Sequence, residues 1–467
     1  MTQVEELDQY DVVVIGGGNA GLCAALTAQL AGARCIVLER APREFRGGNS
    51  RHTRNLRCAH STPDAILQGT YLEDEFRSDL RRVTGEAVDD VLTQLLVAHS
   101  VECPAWMQQF GVRFQRALRG TLQLARTNAF FLGGGKAVLN SYYAAASRLD
   151  VEVLYDAEVV GLDFDGREFA AASVVRGNRV QRVRGRAAVI AAGGFEANLA
   201  WLREIWGEAA DNFIIRGTPY NTGTLLKLML DAGARPVGDP HACHAIAVDA
   251  RAPKFDGGIV TRLDSIPFGV VVNRDGDRFY NEGEDVWPKR YAIWGGLIAR
   301  QPGQIAYSVV DSTVVDQFMP SVFPPIVSPS ISGLALALNL PAGRLEATLE
   351  AFNRAVRSGS YDPGTLDDCR TEGLQPDKTH WARRIEKPPF IAYPLRPGIT
   401  FTYLGLTVDE RTRVVMADGE PAANVYAAGE VMAGNILRNG YTAGVGMTIG
   451  TVFGRIAGRE AARHARR

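Results

Sequence analysis

The chain has 467 residues, of which 46% are apolar and 22% are charged, and its formal net charge is −1. This length suits two or three domains, and the apolar share is enough for large buried cores, which argues against a disordered protein. The balanced charge argues against a nucleic-acid-binding protein, because such proteins carry a clear basic excess.

The cysteines and the apolar segments exclude several further classes of protein. Six cysteines are scattered without a CxxC pair, a spacing that predicts neither a zinc site, nor an iron–sulfur cluster, nor a disulfide framework. The acidic N-terminal segment lacks the apolar core of a signal peptide. The sequence also has no run of about 18 apolar residues, so no membrane span is predicted. We therefore expect a cytoplasmic protein in a reducing compartment, without a metal site.

The first predicted unit is a strand, a glycine-rich turn, a helix and a second strand. Residues 12–15 form a β-branched run, and Gly16, Gly18 and Gly21 then supply the pattern GxGxxG. The second strand, CIVLE, ends at Glu39, the distance at which an acidic residue binds the ribose of a dinucleotide. The N-terminus of the helix then faces the pyrophosphate. The predicted contacts in this unit are Gly16, Gly18, Asn19, Ala20, Gly21, Glu39 and Arg40.

The next segment, RGGNSRHTRNLRCAH at residues 46–60, places four arginines beside a flexible glycine loop. Arginine binds planar carboxylates and phosphates through paired hydrogen bonds. The segment alone is compatible with a phosphate, nucleic acid, an acidic substrate or a solvated turn. The near-neutral charge of the chain removes nucleic acid from these alternatives.

The rest of the chain distinguishes FAD from NAD as the dinucleotide. No second GxGxxG unit follows, and FLGGGKA at residues 131–137 is predicted to be a turn, because no clear β-branched strand precedes it. Near the C-terminus a short strand ends at Ala427, Gly429 and Glu430 follow, and a glycine-rich loop leads to a helix that begins at about residues 446–448. Such a late strand, loop and helix suit a flavin, whose ribityl chain and ring must also be held. We therefore predict FAD.

Segments in order along nearly the whole chain resemble the fumarate reductase/succinate dehydrogenase flavoprotein superfamily. They are VVVIGGGNAGLCAAL, LERAP and GGNS near the N-terminus, VIAAGGF and GVVVNRDGDRFYNE in the middle, and YAAGEV and VFGRIAG near the C-terminus. Within that superfamily, RGGNSRHTRNLR, PHACHA, NEGEDVWPKRYAIWG and YPLRPGITFTYLGL look most like the tricarballylate dehydrogenase group.

The resemblance implies an α/β fold in which a Rossmann-like FAD-binding domain is split in sequence by an inserted α+β capping domain. We place the FAD-binding domain at residues 1–236 and 390–467 and the capping domain at residues 237–389, with the substrate between them. Segments rich in proline and glycine lie near these boundaries. The further FAD contacts that the resemblance implies are Gly48, Asn49, Ser50, Thr53, Gly134, Gly135, Val159, Ala192, Gly193, Gly429, Glu430, Gly446, Met447, Thr448 and Ile449.

Oxidation of adjacent carbons in a carboxylate needs a hydride acceptor, a base for the second hydrogen and cations for the carboxylates. The resemblance places the proton-transfer arginine at Arg290, with Tyr291 and Tyr403 as alternatives. It gives Thr261 a contact with a substrate carboxylate. This chain has Arg262 where the family has a relay glutamate, and this additional cation suits a third carboxylate.

The other implied substrate contacts depart from the family pattern. The histidine of the capping domain corresponds to His244, with His241 as the alternative. Phe401 replaces a family histidine, and the arginine of the last loop has no match in register, because Arg438 falls two or three positions early. Arg396 is the other candidate for that charge. A related polycarboxylate therefore fits better than fumarate or succinate.

The resemblance also divides the segment at residues 46–60 between cofactor and substrate. Its first half is expected to contact the flavin, whereas Arg51, His52, Arg54 and Arg57 meet either a cofactor phosphate or a substrate carboxylate. Succinate dehydrogenases tether FAD through a histidine in an SHT sequence, which RHT at His52 resembles. Because alignment with the GGNT of soluble relatives puts Asn49 in that position, we expect non-covalent FAD.

The predicted activity is FAD-dependent oxidation of tricarballylate, or a similar tricarboxylate, to its alkene. Because iron–sulfur cysteines are missing, electrons would leave through a separate partner, which the family suggests is a membrane iron–sulfur/haem protein, with the chain peripheral to that membrane. The alternative is an oxygen-using or reductase flavoprotein of tetrapyrrole or secondary metabolism. A non-catalytic electron-transfer flavoprotein is a third hypothesis, but a simple carrier needs no capping domain.

Overall fold

The computed structural model describes residues 4–85, 90–117, 124–319, 321–438 and 440–467. The strands in these residues are β1 (Val4–Ile15), β2 (Cys35–Leu38), β3 (Asn55–Arg57), β4 (Asn128–Phe130), β5 (Glu152–Leu154), β6 (Glu158–Asp165), β7 (Glu168–Arg176), β8 (Arg179–Ile190), β9 (Ile214–Ile215), β10 (Pro236–Val237), β11 (Cys243–Asp249), β12 (Val270–Asn273), β13 (Ala306–Asp311), β14 (Ile326–Ser328), β15 (Val356–Arg357), β16 (Arg370–Thr371), β17 (Phe390–Thr402), β18 (Gly405–Leu406), β19 (Arg413–Val415) and β20 (Pro421–Ala427).

None of the helices in the same residues is both long and apolar enough to cross a lipid bilayer. They are α1 (Asn19–Leu30), α2 (Glu73–Thr84), α3 (Asp90–Ser100), α4 (Cys103–Gln109), α5 (Leu124–Thr127), α6 (Gly134–Arg148), α7 (Leu199–Trp206), α8 (Thr224–Asp231), α9 (Trp287–Arg290), α10 (Trp294–Ala299), α11 (Ile331–Ala337), α12 (Arg344–Ala355), α13 (Gly434–Leu437) and α14 (Val445–Ala465).

The larger sheet is built around parallel strands whose sequences are apolar runs. Its order is β19-β20-β8-β1-β2-β5, and β1 pairs in parallel with both β2 and β8. The β-branched run of residues 12–15 is at most 2% exposed, as expected of a parallel strand covered on both faces. Helix α1 connects β1 to β2, which confirms the predicted βαβ unit and the α/β fold.

The C-terminal helix α14 packs directly against α1. A Cβ atom built on Gly454 would lie 2.4 Å from the carbonyl oxygen of Ala20, so the missing side chain is what permits this close approach. At the first residue of α1, the Asn19 side chain donates to the carbonyl of Met447, near the start of α14, over 3.1 Å. The N-termini of the first and last helices therefore lie side by side.

The smaller sheet is organised around the long strand β17. This strand pairs antiparallel with β11, β13 and β14 and in parallel with β9, and β13 continues the sheet to β12. Residues 390–402 therefore share a sheet with four strands of the predicted capping domain and also with β9, from the predicted FAD-binding part, so the domain boundary near residue 390 stays a prediction. Proline and glycine marked a joint near residue 390, but strand pairing, which local composition does not encode, determines the sheet.

Candidate active site

One cavity connects the glycine-rich turn after β1 to a group of arginines beside the smaller sheet. It contains about 1490 Å³ of empty space, including its opening to solvent. The carboxyl ends of β1, β2, β8 and β20 line it, together with the starts of α1 and α14. This is the edge at which open α/β sheets bind their ligands.

The start of α1 has the features of a pyrophosphate site. Gly18 precedes the helix without any side-chain cap, and the backbone N–H of Asn19 donates to Ser50 Oγ over 3.0 Å. Gly429, from the loop after β20, closes the other side: its Cβ would lie 2.7 Å from the Cβ of Ala20. The uncapped amides and the positive end of the helix dipole favour an anionic phosphate here.

Glu39, at the end of β2, provides a fixed acceptor for a ribose. Its carboxylate accepts backbone N–H groups from Gly17 at 3.1 Å, Ala41 at 2.9 Å and Gly47 at 3.2 Å. Burial raises the pKa of Glu39, and the three amides act in the opposite direction by stabilising the anion. A carboxylate held this rigidly fits the ribose hydroxyls of a dinucleotide.

Replacing Glu39 with alanine is expected to weaken FAD binding about 10- to 100-fold, because a hydrogen bond to a charged group contributes about 1.5–3 kcal/mol. Quenching of FAD fluorescence by the apoprotein measures the Kd. Glu168→Ala, at an exposed position of β7, is the matched control and should bind FAD as the natural chain does. Equal affinity in the Glu39 variant would contradict the assigned ribose contact.

Asn49 links the cavity wall to both sheets. Its amide oxygen accepts the backbone N–H of Thr218 over 2.8 Å, and its amide nitrogen donates to the carbonyl of Thr400 over 2.8 Å and to Glu196. These contacts fix the side chain in one orientation next to the loop that starts at Gly48. The groups that surround this part of the cavity fit a flavin, which needs small residues and fixed polar groups around its ring.

Three arginines line another part of the cavity: Arg216 and Arg262 are buried, and Arg54 is half-buried. Burial, together with the charge of Arg262, lowers the pKa of both Arg54 and Arg216 to about 10. Arg216 Nε donates to Thr400 Oγ1 over 3.0 Å, while its buried Nη1 has no hydrogen-bond partner. An unpaired guanidinium nitrogen in a buried cavity is a ready contact for an anion.

The carboxylate that faces this cluster is Asp264. It accepts Arg262 Nη2 over 2.8 Å and Trp287 Nε1 over 2.7 Å. Burial opposes ionisation of Asp264, but the charges of Arg262 and Arg54 outweigh it and lower its pKa. One ionised carboxylate beside three guanidinium groups leaves the cluster with excess positive charge.

Aromatic rings complete this part of the cavity. His244 stacks on Tyr441 with 3.8 Å between ring centroids and meets the ring of Tyr291 edge-on at 5.4 Å. Burial holds the pKa of His244 well below its ordinary value, and Arg216 and Arg262 add to this effect. Both ring nitrogens of His244 are buried without a partner, so the imidazole is neutral and open to a hydrogen bond from or to a ligand.

A family model described as FAD binding domain matches residues 11–448. The chain belongs to this FAD-binding family. The NADH:acrylate oxidoreductase of Vibrio harveyi is 25% identical over 510 residues, which cover 91% of this chain and 48% of that protein. The 4-oxocyclohexanecarboxylate 2-dehydrogenase of Sinomonas cyclohexanicum is 26% identical over 538 residues, which cover 94% of this chain and 90% of that protein. The chain thus spans about half the length of the first relative and most of the second.

Among solved structures, the open conformation of a flavocytochrome c3 fumarate reductase is similar over 98% of this chain and 79% of that one. The TM-score is 0.76 at 22% sequence identity. These comparisons confirm the predicted resemblance to fumarate reductase flavoproteins, the fold and the cofactor. The cofactor of this FAD-binding chain fits the groups described above: the uncapped start of α1, Glu39, and the polar wall around Asn49.

The structure brings most of the sequence-predicted FAD contacts to the cavity. Those that line it are Gly16, Gly18, Asn19, Ala20, Glu39, Arg40, Gly48, Asn49, Ser50, Thr53, Val159, Ala192, Gly193, Gly429, Glu430, Gly446 and Met447. Among the predicted substrate contacts, His244, Arg262 and Tyr291 line the same cavity. Their individual roles stay predictions.

Five predicted FAD contacts lie behind the cavity wall instead. Gly21 packs on the turn after β1, since its Cβ would lie 1.9 Å from the Gly16 oxygen. FLGGGKA is not only a turn, because its last residues begin α6. There Gly135 N donates to the Thr53 carbonyl over 2.8 Å, so this pair of glycines supports the loop. The residues corrected in this way are Gly21, Gly134, Gly135, Thr448, whose hydroxyl bonds the Arg57 carbonyl, and Ile449, which is in the core.

Four predicted substrate contacts are also placed elsewhere. Thr261 Oγ1 donates to the Gly258 carbonyl over 2.9 Å, and Arg396 donates to two carbonyl oxygens of residues 303–304. Tyr403 is buried in the core of the larger sheet, and the exposed Arg438 does not line the cavity. Thr261 and Arg396 therefore bond to backbone, Tyr403 packs in the core and Arg438 is exposed.

The structure places Arg290, the predicted proton-transfer arginine, in an ion pair outside the cavity lining, and its proton-transfer role stays a prediction. Its Nε donates to Glu284 Oε2 over 2.7 Å, and it is absent from the cavity lining. Burial favours loss of the Arg290 proton, but the adjacent Glu284 outweighs burial and raises the pKa of Arg290. A guanidinium held more firmly in its charged form cannot exchange a proton readily.

Replacing Arg290 with methionine is therefore expected to change kcat/KM by less than about threefold, because Arg290 does not line the cavity. The stability of the protein should fall by about 1 kcal/mol or less, the contribution of a partly exposed ion pair. Steady-state kinetics measure the change in kcat/KM, and the Tm of the FAD-loaded protein measures the change in stability. A loss of activity of about 100-fold at unchanged FAD content would show that Arg290 acts in proton transfer after all.

The cations at residues 46–60 have separate partners. Arg54 lines the cavity, as does His52, which is paired with Asp256. Arg57 is buried against Asp79, and Arg51 Nη1 donates to the backbone of residue 44. Of these four side chains, Arg54 and His52 therefore line the cavity, whereas Arg51 and Arg57 do not. The alternative histidine, His241, is exposed beside Asp239.

Sequence reasoning missed Arg216 and Tyr441. Arg216 follows the two-residue strand β9, and Tyr441 lies in the loop before α14. Neither residue is part of a motif with a defined spacing. The one available signal was that each is next to or near a glycine in a segment between elements, where binding residues are common.

Proposed function

We propose that this chain is an FAD-dependent dehydrogenase that removes a hydride and a proton from adjacent carbons of a polycarboxylate, converting tricarballylate to aconitate. The observation that carries the proposal is the cluster of Arg54, Arg216 and Arg262 with its excess positive charge in the FAD cavity. Arginine pairs with carboxylates through two parallel hydrogen bonds, so a polyanion suits this cluster better than a neutral ligand.

The names of the two relatives described above support a carboxylate as the substrate. One acts on acrylate and the other on 4-oxocyclohexanecarboxylate, and each of these molecules carries a single carboxylate. Three guanidinium groups exceed what one carboxylate needs. This surplus favours a substrate with two or three carboxylates.

In the proposed reaction, bound FAD supplies the two-electron acceptor for the hydride. Arg54, Arg216 and Arg262 hold the carboxylates and orient the carbon atoms that react. The proton leaves the adjacent carbon for the phenolate oxygen of Tyr291. Neutral His244 contributes a hydrogen bond without adding a charge that the substrate would have to balance.

Tyr291 is the best candidate for the proton acceptor because it lines the cavity within the field of three arginines. Burial raises the pKa of its hydroxyl above the ordinary value, and Arg262, Arg216 and Arg54 offset burial only in part by stabilising the phenolate, so the ionised form becomes more populated as the pH rises. The other tyrosines are less suitable: the Tyr441 hydroxyl already accepts the N–H of Gly446 over 3.1 Å, and Tyr403 is outside the cavity.

The electrons would then pass to a separate partner. All six cysteines are free, and the described residues contain no cluster of histidine, cysteine and carboxylate ligands that could hold a metal. We propose a membrane iron–sulfur/haem protein as the acceptor, a cytoplasmic location at the membrane periphery, and non-covalent FAD. Flavin that stays in an acid-precipitated pellet would contradict the last of these.

Turnover with an artificial electron-accepting dye tests the proposed reaction. The FAD-loaded chain is expected to convert tricarballylate to aconitate, identified by chromatography, with one equivalent of dye reduced by two electrons. Rapid reoxidation of the reduced protein by air and turnover of a neutral substrate, with no product from any polycarboxylate, would instead support the oxygen-using alternative.

A further inference from the structure

Two glutamates from different elements meet behind the cavity wall around Asn49, where the surrounding groups fit a flavin. Glu196 follows β8 and is fully buried, and Glu430 follows β20 and is 9% exposed. Both converge on Gly194: a Cβ atom built there would lie 2.3 Å from Glu430 Oε1 and 2.8 Å from Glu196 Oε2. The glycine leaves the space in which the two carboxyl groups face each other.

The donors around the pair satisfy only some of its oxygens. Glu196 Oε1 accepts the amide nitrogens of Asn221, at 2.8 Å, and Asn49. Glu430 Oε1 accepts the backbone N–H of Thr402 over 2.8 Å. The buried Glu196 Oε2 receives no hydrogen bond from a donor. A proton on one of the two carboxyl groups would supply the missing hydrogen bond.

No lysine, arginine or histidine of the described residues is among the groups that act most strongly on the pKa of either glutamate. The titratable groups whose charges interact with the pair are Cys243, Tyr403 and Tyr441, and burial raises the pKa of each so that all three are neutral. Burial raises the pKa of Glu196 to about 7 and, together with the charge of Glu196, raises that of Glu430 well above its ordinary value, whereas the contact with Glu430 lowers the pKa of Glu196. Two carboxyl groups in such a site share a proton.

We propose that Glu196 and Glu430 share one proton while the cofactor is oxidised, and that they bind a second proton from solvent when the cofactor is reduced. Glu430 lines the cavity, and Glu196 is bonded to Asn49, which also lines it. If the flavin ring bound along this wall, a negative charge on the pair would be close to the charge that the flavin gains on reduction. The proposal rests on FAD binding, which the family establishes, and not on the identity of the substrate.

The charges and electrons balance. Reduction brings two electrons and one proton to the bound cofactor, which then carries one additional negative charge. The pair, which carries one negative charge when it holds one proton, becomes neutral by taking one proton from water. The total uptake is two electrons and two protons, with the electrons supplied by the substrate or by a chemical reductant such as dithionite.

The midpoint potential of the FAD-loaded protein, measured anaerobically as a function of pH, tests this coupling. A tenfold change in proton activity shifts a two-electron couple by about 30 mV for each proton bound. We expect about 59 mV per pH unit near neutral pH in the natural chain and about 30 mV in Glu196→Gln, which cannot share the proton. Parallel slopes in the two proteins would overturn the proposal.

Glu460→Gln is the matched control. Glu460 lies in α14, fifteen residues beyond its first residue, which corresponds to roughly 22 Å along the helix axis. Its substitution should leave the steeper slope unchanged. A slope as shallow as that of Glu196→Gln would show that loss of any carboxyl group, and not this pair, changes the potential.

A second measurement on the natural chain does not depend on the folding of a variant. Reduction should increase the infrared C=O stretching band of protonated carboxyl groups, and this band should shift when the solvent is deuterated. Absence of any gain in that band would overturn the proposal.

Thermal unfolding of the FAD-loaded proteins gives an independent readout of the same titration. Because the folded pKa of Glu196 is raised above its unfolded value, its stabilising effect is fully present below the unfolded pKa of about 4.5 and is lost as the pH rises through about 7. The Tm of the natural chain should therefore fall more steeply across this window than that of Glu196→Gln. Equal slopes would contradict a raised pKa in the folded protein.

Discussion

Replacing Arg216 with methionine is expected to lower kcat/KM for tricarballylate by about 100-fold. The free guanidinium Nη1 of Arg216 is buried in the cavity without a partner, so a carboxylate that binds there gains a charge-assisted hydrogen bond. Such a bond contributes about 1.5–3 kcal/mol, and about 2.7 kcal/mol corresponds to a 100-fold change. Methionine keeps an extended side chain and removes only the charged group.

Steady-state kinetics and direct binding of tricarballylate to the oxidised protein measure this effect. We expect most of the loss in KM and Kd, because Arg216 holds the substrate before and during the reaction. Arg396→Met is the matched comparison, since the structure places Arg396 on backbone carbonyls outside the cavity, and it should retain near-natural kinetics. Wild-type affinity in Arg216→Met, with bound FAD intact, would remove this arginine from the proposed clamp.

Replacing Tyr291 with phenylalanine is expected to lower kcat about 10²- to 10⁴-fold, the range that general-base catalysis typically contributes. The ring, its edge-on contact with His244 and its position under Arg262 all remain, and only the hydroxyl that accepts the proton is lost. Substrate affinity should therefore change little. This division between kcat and Kd separates proton transfer from binding, which Arg216 controls.

Rapid-reaction measurement of flavin reduction isolates the step in which Tyr291 takes part. In the natural chain its rate should rise with pH, because the phenolate is the form that accepts the proton, and this dependence should disappear in Tyr291→Phe. Tyr403→Phe, which changes a tyrosine outside the cavity, should keep both the rate and its pH dependence. A Tyr291 variant that reduces FAD at the natural rate would assign the proton to another group.

The parts of the fold that depend on local sequence could be predicted. The β-branched residues 12–15, the three glycines and Glu39 occur within one continuous unit, and the structure confirms that unit as β1, α1 and β2. The C-terminal helix was predicted to begin at residues 446–448 and begins at Val445. In both places glycines and the apolar pattern mark the boundaries of the elements within the local sequence.

The substrate cluster could not be predicted in the same way. Arg54, Arg216 and Arg262 are far apart in sequence, and only sheet pairing, such as that of β9 with β17, brings their segments together. Arg290 matched the family pattern, yet in the structure its guanidinium group is paired with Glu284, six residues earlier. A residue's type and spacing do not reveal which nearby partner its side chain will choose.

The buried pair of Glu196 and Glu430 illustrates the same limit. Glu430 was predicted as an FAD contact from the segment after β20, whereas Glu196 was not singled out. Their meeting depends on the parallel pairing of β8 with β20, which places the carboxyl ends of the two strands next to each other. Neither segment by itself contains a signal of this contact.

The most direct test of the proposed function is anaerobic mixing of the FAD-loaded chain with tricarballylate, with succinate and a neutral ketosteroid as comparisons. We predict that tricarballylate bleaches the absorption of oxidised FAD and yields aconitate, that succinate acts more slowly, and that the ketosteroid has no effect. Bleaching by the ketosteroid, with no bleaching by any polycarboxylate, would contradict the assignment of the arginine cluster as a polycarboxylate site.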